Sequence, residues 1–227
     1  MAYQHIIFDL DGTLTDPKVG ITEAIRFALN KLGEPVPEMA VLEDFIGPPL
    51  FDSFVEKCGL TPAQAMKAVD HYREYYAQRG LYENHPYPEV EATLKALKAD
   101  QRRLYVATSK PEVYARKILK HFHLDHYFVR IAGATLDGSI TRKEEVLDHL
   151  AAHCGLGKAD TVLMVGDRKF DVEGARHAGF DAAAVLYGYG SRQELEGHNP
   201  DYLLDSLDEL LSLTGIGPVT KAKGQEL

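Results

Sequence analysis

The chain predicts an α/β protein, a doubly wound and mostly parallel sheet carrying an inserted all-helical cap. Three observations predict it. From Glu89 onward, helical segments alternate with short apolar strand-like runs, the texture of a parallel sheet covered on both faces. The run His5-Ile6-Ile7-Phe8 reads as a first buried strand and leads straight into Asp9-Leu10-Asp11-Gly12. Between that strand and Tyr87, about 65 residues carry helical spacing and no plausible strand, which is longer than a simple crossover. The boundaries read as 1–15 and 84–213 for the core, 16–83 for the cap, and 214–227 for a loosely held, flexible tail.

Taken in order, Val19 to Leu32 places Ile21, Ile25, Ala28, Leu29 and Leu32 three and four apart, a helix ended by Gly33 and Pro35. Helical segments follow over Met39–Phe45, Phe51–Cys58 and Pro62–Gln78. Phe45-Ile46-Gly47-Pro48-Pro49-Leu50 interrupts them as a stiff tip, either a lid contact through Gly47 and Pro48 or a rigid connector. The proline-dense stretch Tyr82 to Pro88 returns the chain to the core, and Glu83–Pro88 with Thr13–Asp16 makes a hinge pair. The core then reads helix Val90–Lys98, strand Arg103–Ala107, helix Pro111–His121, strand Tyr127–Ile131, helix Glu144–His153 and strand Thr161–Val165. Helix Asp171–Ala178, strand Ala182–Leu186, strand Tyr202–Leu204 and helix Leu207–Leu213 complete it.

A chain of 227 residues with 45% apolar side chains can bury a large core. Its 34 acidic against 25 basic residues, a formal charge of -9, argue against a nucleic-acid polymer as partner but leave room for a small anionic substrate. No apolar run reaches transmembrane length and no basic-then-hydrophobic leader opens the sequence, so a cytoplasmic protein without a membrane partner is expected. Cys58 and Cys154 stand apart, in keeping with free thiols. Monomer and homodimer are equally open.

Ligands of such sheets bind beyond the carboxyl ends of the strands, so the polar residues there are the ones to weigh. Asp9 and Asp11 follow the first strand and reach one locus if the extended geometry persists past Leu10, with Gly12 turning the chain away. Thr108-Ser109-Lys110 follows the second strand, where a hydroxyl and free backbone N–H groups can hold an anion. Gly166-Asp167-Arg168-Lys169-Phe170-Asp171 follows Val165. Each has an ordinary explanation: Asp11-Gly12 as a turn, Thr108-Ser109 and Asp167 as helix caps. Together, carboxylates at two strand ends, a hydroxyl at a third and a nearby lysine describe a Mg2+ site with an anion between its parts. Lys143 is the candidate lysine, with Lys110, Arg168 and Lys169 as competitors.

Asp9-Leu10-Asp11-Gly12-Thr13-Leu14, Thr108-Ser109-Lys110, Lys143 and Gly166-Asp167-Arg168-Lys169-Phe170-Asp171 resemble the four ordered motifs of the haloacid dehalogenase superfamily. The likeness runs from Ile6 to about Leu213, and the helical insert resembles the type-one cap. The resemblance implies a Rossmann-like core and a phosphomonoester hydrolase using an aspartyl-phosphate intermediate. Asp9 would be the nucleophile and Asp11 the acid and base. Ser109 and Lys143 would hold the phosphoryl oxygens. Asp9, Asp167 and the main-chain carbonyl of Asp11 would hold Mg2+, with Asp171 in support. Thr141-Arg142-Lys143-Glu144-Glu145 departs from the family's usual lysine-proline form. The cap stretches are similar to the branch of phosphoglycolate phosphatases and bacterial 5'-nucleotidases, so a mononucleotide is the expected partner. Phosphoglycolate or another small phosphoester is the alternative. A hexose-phosphate mutase and a non-catalytic binding protein are the readings from other classes. Tyr72, Tyr75 and Tyr76 read as packing between cap helices rather than as base-stacking platforms.

Overall fold

In a computed structural model, residues 3–157 and 160–217 are described. Strand β1 (His5–Phe8) is buried along its whole length, as four residues flanked by strands on both sides must be. The chain then closes a tight turn in which Gly12 donates to the Thr15 carbonyl and Thr15 donates to the Leu10 carbonyl. From it emerges the two-residue strand β2 (Thr15–Asp16).

Four helices follow: α1 (Lys18–Leu32), α2 (Met39–Glu43), α3 (Leu50–Cys58) and α4 (Pro62–Tyr75). Helix α4 starts cleanly because the Thr61 hydroxyl accepts from the Gln64 N–H, the Gln64 side chain accepts from the Thr61 N–H, and Pro62 fits the first turn. It ends in a wide π-helical turn over Tyr76–Gly80 rather than continuing to Gln78. The chain re-enters the core through β3 (His85–Pro86), which pairs antiparallel with β2. Both crossings between the helical insert and the sheet therefore meet in one short ribbon.

The remainder alternates α5 (Val90–Ala99), β4 (Arg103–Pro111), α6 (Glu112–His121), β5 (Phe128–Ala134), α7 (Lys143–Cys154) and β6 (Val162–Gly166). It closes with α8 (Lys169–Ala178), β7 (Asp181–Val185), α9 (Arg192–Gly197), β8 (Tyr202–Leu204) and α10 (Glu209–Leu213). Six parallel strands form the main sheet in the order β5-β4-β1-β6-β7-β8, with Ile6 paired to both Leu104 and Leu163. The α/β, doubly wound class expected from the alternation is the class observed. Helix Pro111–His121 starts one residue late, because Pro111 still pairs with Ala134 as the last residue of β4. Thr214, placed by its composition in a loose tail, is buried and donates its hydroxyl to the Leu211 carbonyl; residues 218–227 lie outside the described residues.

Alternate side chains of each strand enter two apolar layers. Ile6, Phe8, Leu104, Val106, Leu163 and Val165 face α5, α6 and α10 and join the interior of the helical insert. Ile7, Tyr105, Ala107 and Met164 face α7 and α8. Because β4 and β5 lie to one side of β1 while β6, β7 and β8 lie to the other, a crevice opens where β1 ends.

Candidate active site

Asp9 sits one residue past β1, its N–H still donating to the Val165 carbonyl at 2.8 Å. Extended geometry, the condition set for Asp9 and Asp11 to reach one locus, does not persist past Leu10, because the chain turns there to satisfy its backbone groups through Thr15. Asp9 and Asp11 nonetheless line the same cavity, together with Ser109 and Lys110. Gly12 makes this possible. Its φ is +82°, and a Cβ there would lie 2.1 Å from Asp167 Oδ2.

From the neighbouring strand end, Asp167 is fully buried, its Oδ2 accepting from the Tyr189 N–H at 2.8 Å and its Oδ1 from the Thr13 hydroxyl at 3.3 Å. It caps no helix; α8 begins at Lys169, and Asp171 in its first turn accepts from the Arg168 N–H at 3.0 Å. Carboxylate oxygens of Asp9, Asp167 and Asp171 lie within 4.8 Å of one another. Lys143, the first residue of α7, places its buried ammonium 2.7 Å from Asp9 Oδ1, 2.8 Å from Asp171 Oδ1 and 2.9 Å from the Ala107 carbonyl.

The competing cations go elsewhere. Lys110 Nζ is 2.7 Å from Asp11 Oδ2 and lies over the Tyr76 ring, whose hydroxyl it also contacts. Arg168 is turned toward the insert, and Lys169 Nζ lies over the Phe170 ring. Lys143 is thus the ammonium that faces Asp9.

Charge in this crevice is unbalanced. Three buried carboxylates face one ammonium, and unit charges of one sign 4.8 Å apart repel by about 3 kcal/mol at an intermediate dielectric. Burial, with the charges of Asp171 and Asp9 added, pushes the Asp167 carboxyl well above the usual range. Burial lifts Asp171 to about 6 against the pull of Lys143. It raises Asp11 too, although Lys110 opposes this. For Lys143, burial disfavours the charged form, but Asp171 and Asp9 prevail and hold it above its ordinary value. A divalent cation fits this donor set: hard oxygen ligands, converging and short of positive charge.

Above the carboxylates, a cavity of about 260 Å3 is walled by Phe45, Gly47, Pro48, Leu50, Tyr72 and Tyr76 from the insert. Tyr72 and Tyr76 are buried and stacked with ring centroids 5.1 Å apart, so they pack the insert as expected, and both also border the cavity. Thr108 is buried, its hydroxyl accepting from the Lys110 N–H at 3.2 Å, and it caps no helix.

Sequence reading missed the loop after β7. Tyr187 donates its hydroxyl to the Thr13 carbonyl at 2.7 Å, Gly190 N–H reaches the Asp167 carbonyl at 3.1 Å, and the Tyr189 hydroxyl bonds Asp16. The alternation Tyr187-Gly188-Tyr189-Gly190, directly after a buried strand, was the available signal.

Residues 6–185 match the model of the haloacid dehalogenase-like hydrolases. The chain belongs to that family. It is 47% identical to a 5'-nucleotidase of Pseudomonas aeruginosa over 210 residues, covering 92% of this chain and 95% of that one. It is 31% identical to a phosphoglycolate phosphatase of Vibrio parahaemolyticus, covering 93% and 96% of the two chains. The solved structure of the protein tyrosine kinase PtkA of Mycobacterium tuberculosis superposes with a TM-score of 0.82 at 38% identity, covering 95% of this chain and 99% of that one. The expectation of a phosphatase of this family stands. Among the described residues, no helix is long and apolar enough to cross a membrane.

Proposed function

We propose that the chain is a Mg2+-dependent phosphomonoester hydrolase that releases phosphate from nucleoside 5'-monophosphates through an aspartyl phosphate on Asp9. The observation that carries this reading is the meeting of Asp9, paired with Lys143, with Asp167 and Asp171 beneath a cavity that also holds Asp11 and Ser109.

Asp9, Asp167 and the Asp11 main-chain carbonyl would hold Mg2+. What the ion adds is neutralisation of the phosphoryl charge, without which a dianion repels a carboxylate nucleophile. In the first step an Asp9 carboxylate oxygen attacks phosphorus, the ester P–O bond breaks, and the protonated Asp11 carboxyl gives its proton to the leaving oxygen. In the second, the Asp11 carboxylate takes a proton from water as its oxygen attacks phosphorus, releasing orthophosphate and freeing Asp9. Lys143 and Ser109 hold the phosphoryl oxygens, and Asp171 keeps Lys143 aimed. Burial favours the protonated form of Asp11 that the first step needs.

For the leaving group, the insert side of the cavity offers Phe45, Phe51, Tyr72, Tyr76, Pro48 and Pro49, a surface that suits a planar base over a sugar. The likeness to a 5'-nucleotidase supports the same substrate. Lys110 and Arg73 also border the cavity and suit a carboxylate-bearing leaving group, which favours phosphoglycolate as the second reading.

Release of inorganic phosphate from a panel of nucleoside monophosphates, phosphoglycolate and sugar phosphates, with and without Mg2+, tests the proposal. Mg2+-dependent release, highest for the mononucleotides, is expected. No release from any phosphomonoester would overturn it, and preference for phosphoglycolate would select the second reading.

A further inference from the structure

Arg168 lies between two proposed site residues, Asp167 and Asp171, yet its side chain leaves the crevice. Its Nη1 donates to the Ile46 carbonyl, in the tip between α2 and α3, at 2.6 Å. Its other edge is gripped by Glu194 of α9: Nε donates to Oε1 at 3.0 Å and Nη2 to Oε2 at 3.4 Å. The same Glu194 oxygen accepts from the Lys169 N–H at 3.0 Å, so the carboxylate also clamps the backbone that presents the guanidinium. Both side chains are largely shielded, with 14% of Arg168 and 22% of Glu194 exposed.

The tip is shaped to receive this contact. Gly47 has a φ of +110°, and a Cβ there would come within 3.2 Å of Arg168 Nη1 and 3.3 Å of its Cγ. Gly47 and Pro49 stand between two cavities, one over Asp9 and Asp11, the other over Lys143 and Arg142, with Ser109 bordering both. A guanidinium held in a fixed fork and pointed at one carbonyl sets both distance and angle, which a surface ion pair does not.

We propose that Arg168, oriented by Glu194, is a positioning residue that latches the Ile46-Gly47-Pro48 tip over the reaction site. The loop that carries the metal-ligand candidates is thereby tied to the wall that meets the leaving group. The proposal rests on the phosphatase reading for its kinetic consequence but not for its structural one. Removing the latch lets the tip lift, so substrates held by the cavity wall bind less well. A substrate that reaches Asp9 without needing that wall is spared.

Two measurements on the full chain test it, using Arg168→Ala, Glu194→Ala and Arg168→Lys. Arg192→Ala is the control, since Arg192, on the same helix as Glu194, pairs among the described residues with the exposed carboxylates of Glu196 and Asp205. Amide hydrogen exchange over residues 46–53 should speed by about tenfold in both alanine variants, the effect of losing a charge-assisted hydrogen bond, and stay at parent rates in the control. Lysine, which can reach the carbonyl but not fork onto Glu194, should restore part of the protection. In kinetics, KM for the best panel substrate should rise by about tenfold, while kcat/KM for acetyl phosphate, whose small leaving group does not reach the wall, stays within about twofold. Parent-like exchange in Arg168→Ala overturns the latch. An equal fall for both substrates also overturns it, since that marks damage at the carboxylates. If the parent releases no phosphate from any substrate, the functional reading fails, and the exchange measurement alone still decides the latch.

Discussion

Asp171 and its neighbours decide how this site responds to pH and metal. Its carboxyl, lifted by burial to about 6 from an ordinary 3.8, keeps a proton in the folded state that the unfolded chain has lost over that interval. Stability from this group is therefore greatest below the lower value and is lost as pH rises past the upper one. Burial moves Asp167 and Asp11 in the same direction. On the proposed reading a divalent cation at Asp167 needs that carboxylate deprotonated and is favoured by an ionised Asp171 beside it, so its stabilising effect should grow as the two ionise. The rise in Tm caused by saturating Mg2+ is expected to be larger at about pH 7.5 than at about pH 5. Equal shifts at the two pH values would show that the ion does not bind here. The carboxylates were legible in sequence because acids recur at the ends of two apolar strands, a coincidence that turns and caps, which explain each acid singly, do not explain jointly. The pairing of Lys110 with Asp11 was not legible. Lys110 Nζ also lies over the ring of Tyr76, the first residue of a π-helical turn that no local residue preference encodes.

At the scale of elements, the helices and strands follow their apolar periods closely, and departures occur where another partner takes over the backbone. Strand β4 runs on to Pro111 because β5 is there to pair with it. The two crossings read as a hinge pair, but their pairing as the β2–β3 ribbon did not show, since two residues carry no period and the pairing spans the whole insert. Helix α9, six residues long, was likewise too short to show a periodic stripe. Its Glu194 holds Arg168 and the Lys169 N–H, contacts across 26 and 25 positions. The cap of α4, by contrast, is local and should behave so. Thr61→Ala is expected to lower unfolding free energy by about 1 kcal/mol in urea while leaving kcat/KM at the parent value. A tenfold loss of kcat/KM in that variant would mean that α4 reaches the chemistry through more than the placement of Tyr72 and Tyr76.

Across the whole molecule, function follows from where the strand order reverses. Strand β1 is flanked by β4 and β6, so residues far apart in sequence deliver Asp9, Ser109 and Asp167 to one crevice, while α7 swings Lys143 in from one side of the sheet. The insert closes the other side, joining its interior to one face of the sheet and resting its tip on Arg168. On the proposed reading this division separates chemistry from selection: the crevice would handle the phosphoryl group and the insert would meet what leaves. Asp9 attacking phosphorus is the step on which every other assignment depends. Its most direct test is acid quenching of the protein within milliseconds of mixing with a 32P-labelled mononucleotide and Mg2+, followed by mapping of the label. The account predicts hydroxylamine-labile label on the peptide containing Asp9, absent without Mg2+ and absent in Asp9→Asn. Phosphate release with no protein-bound label at any time, or label on Ser109 or a tyrosine, would contradict it.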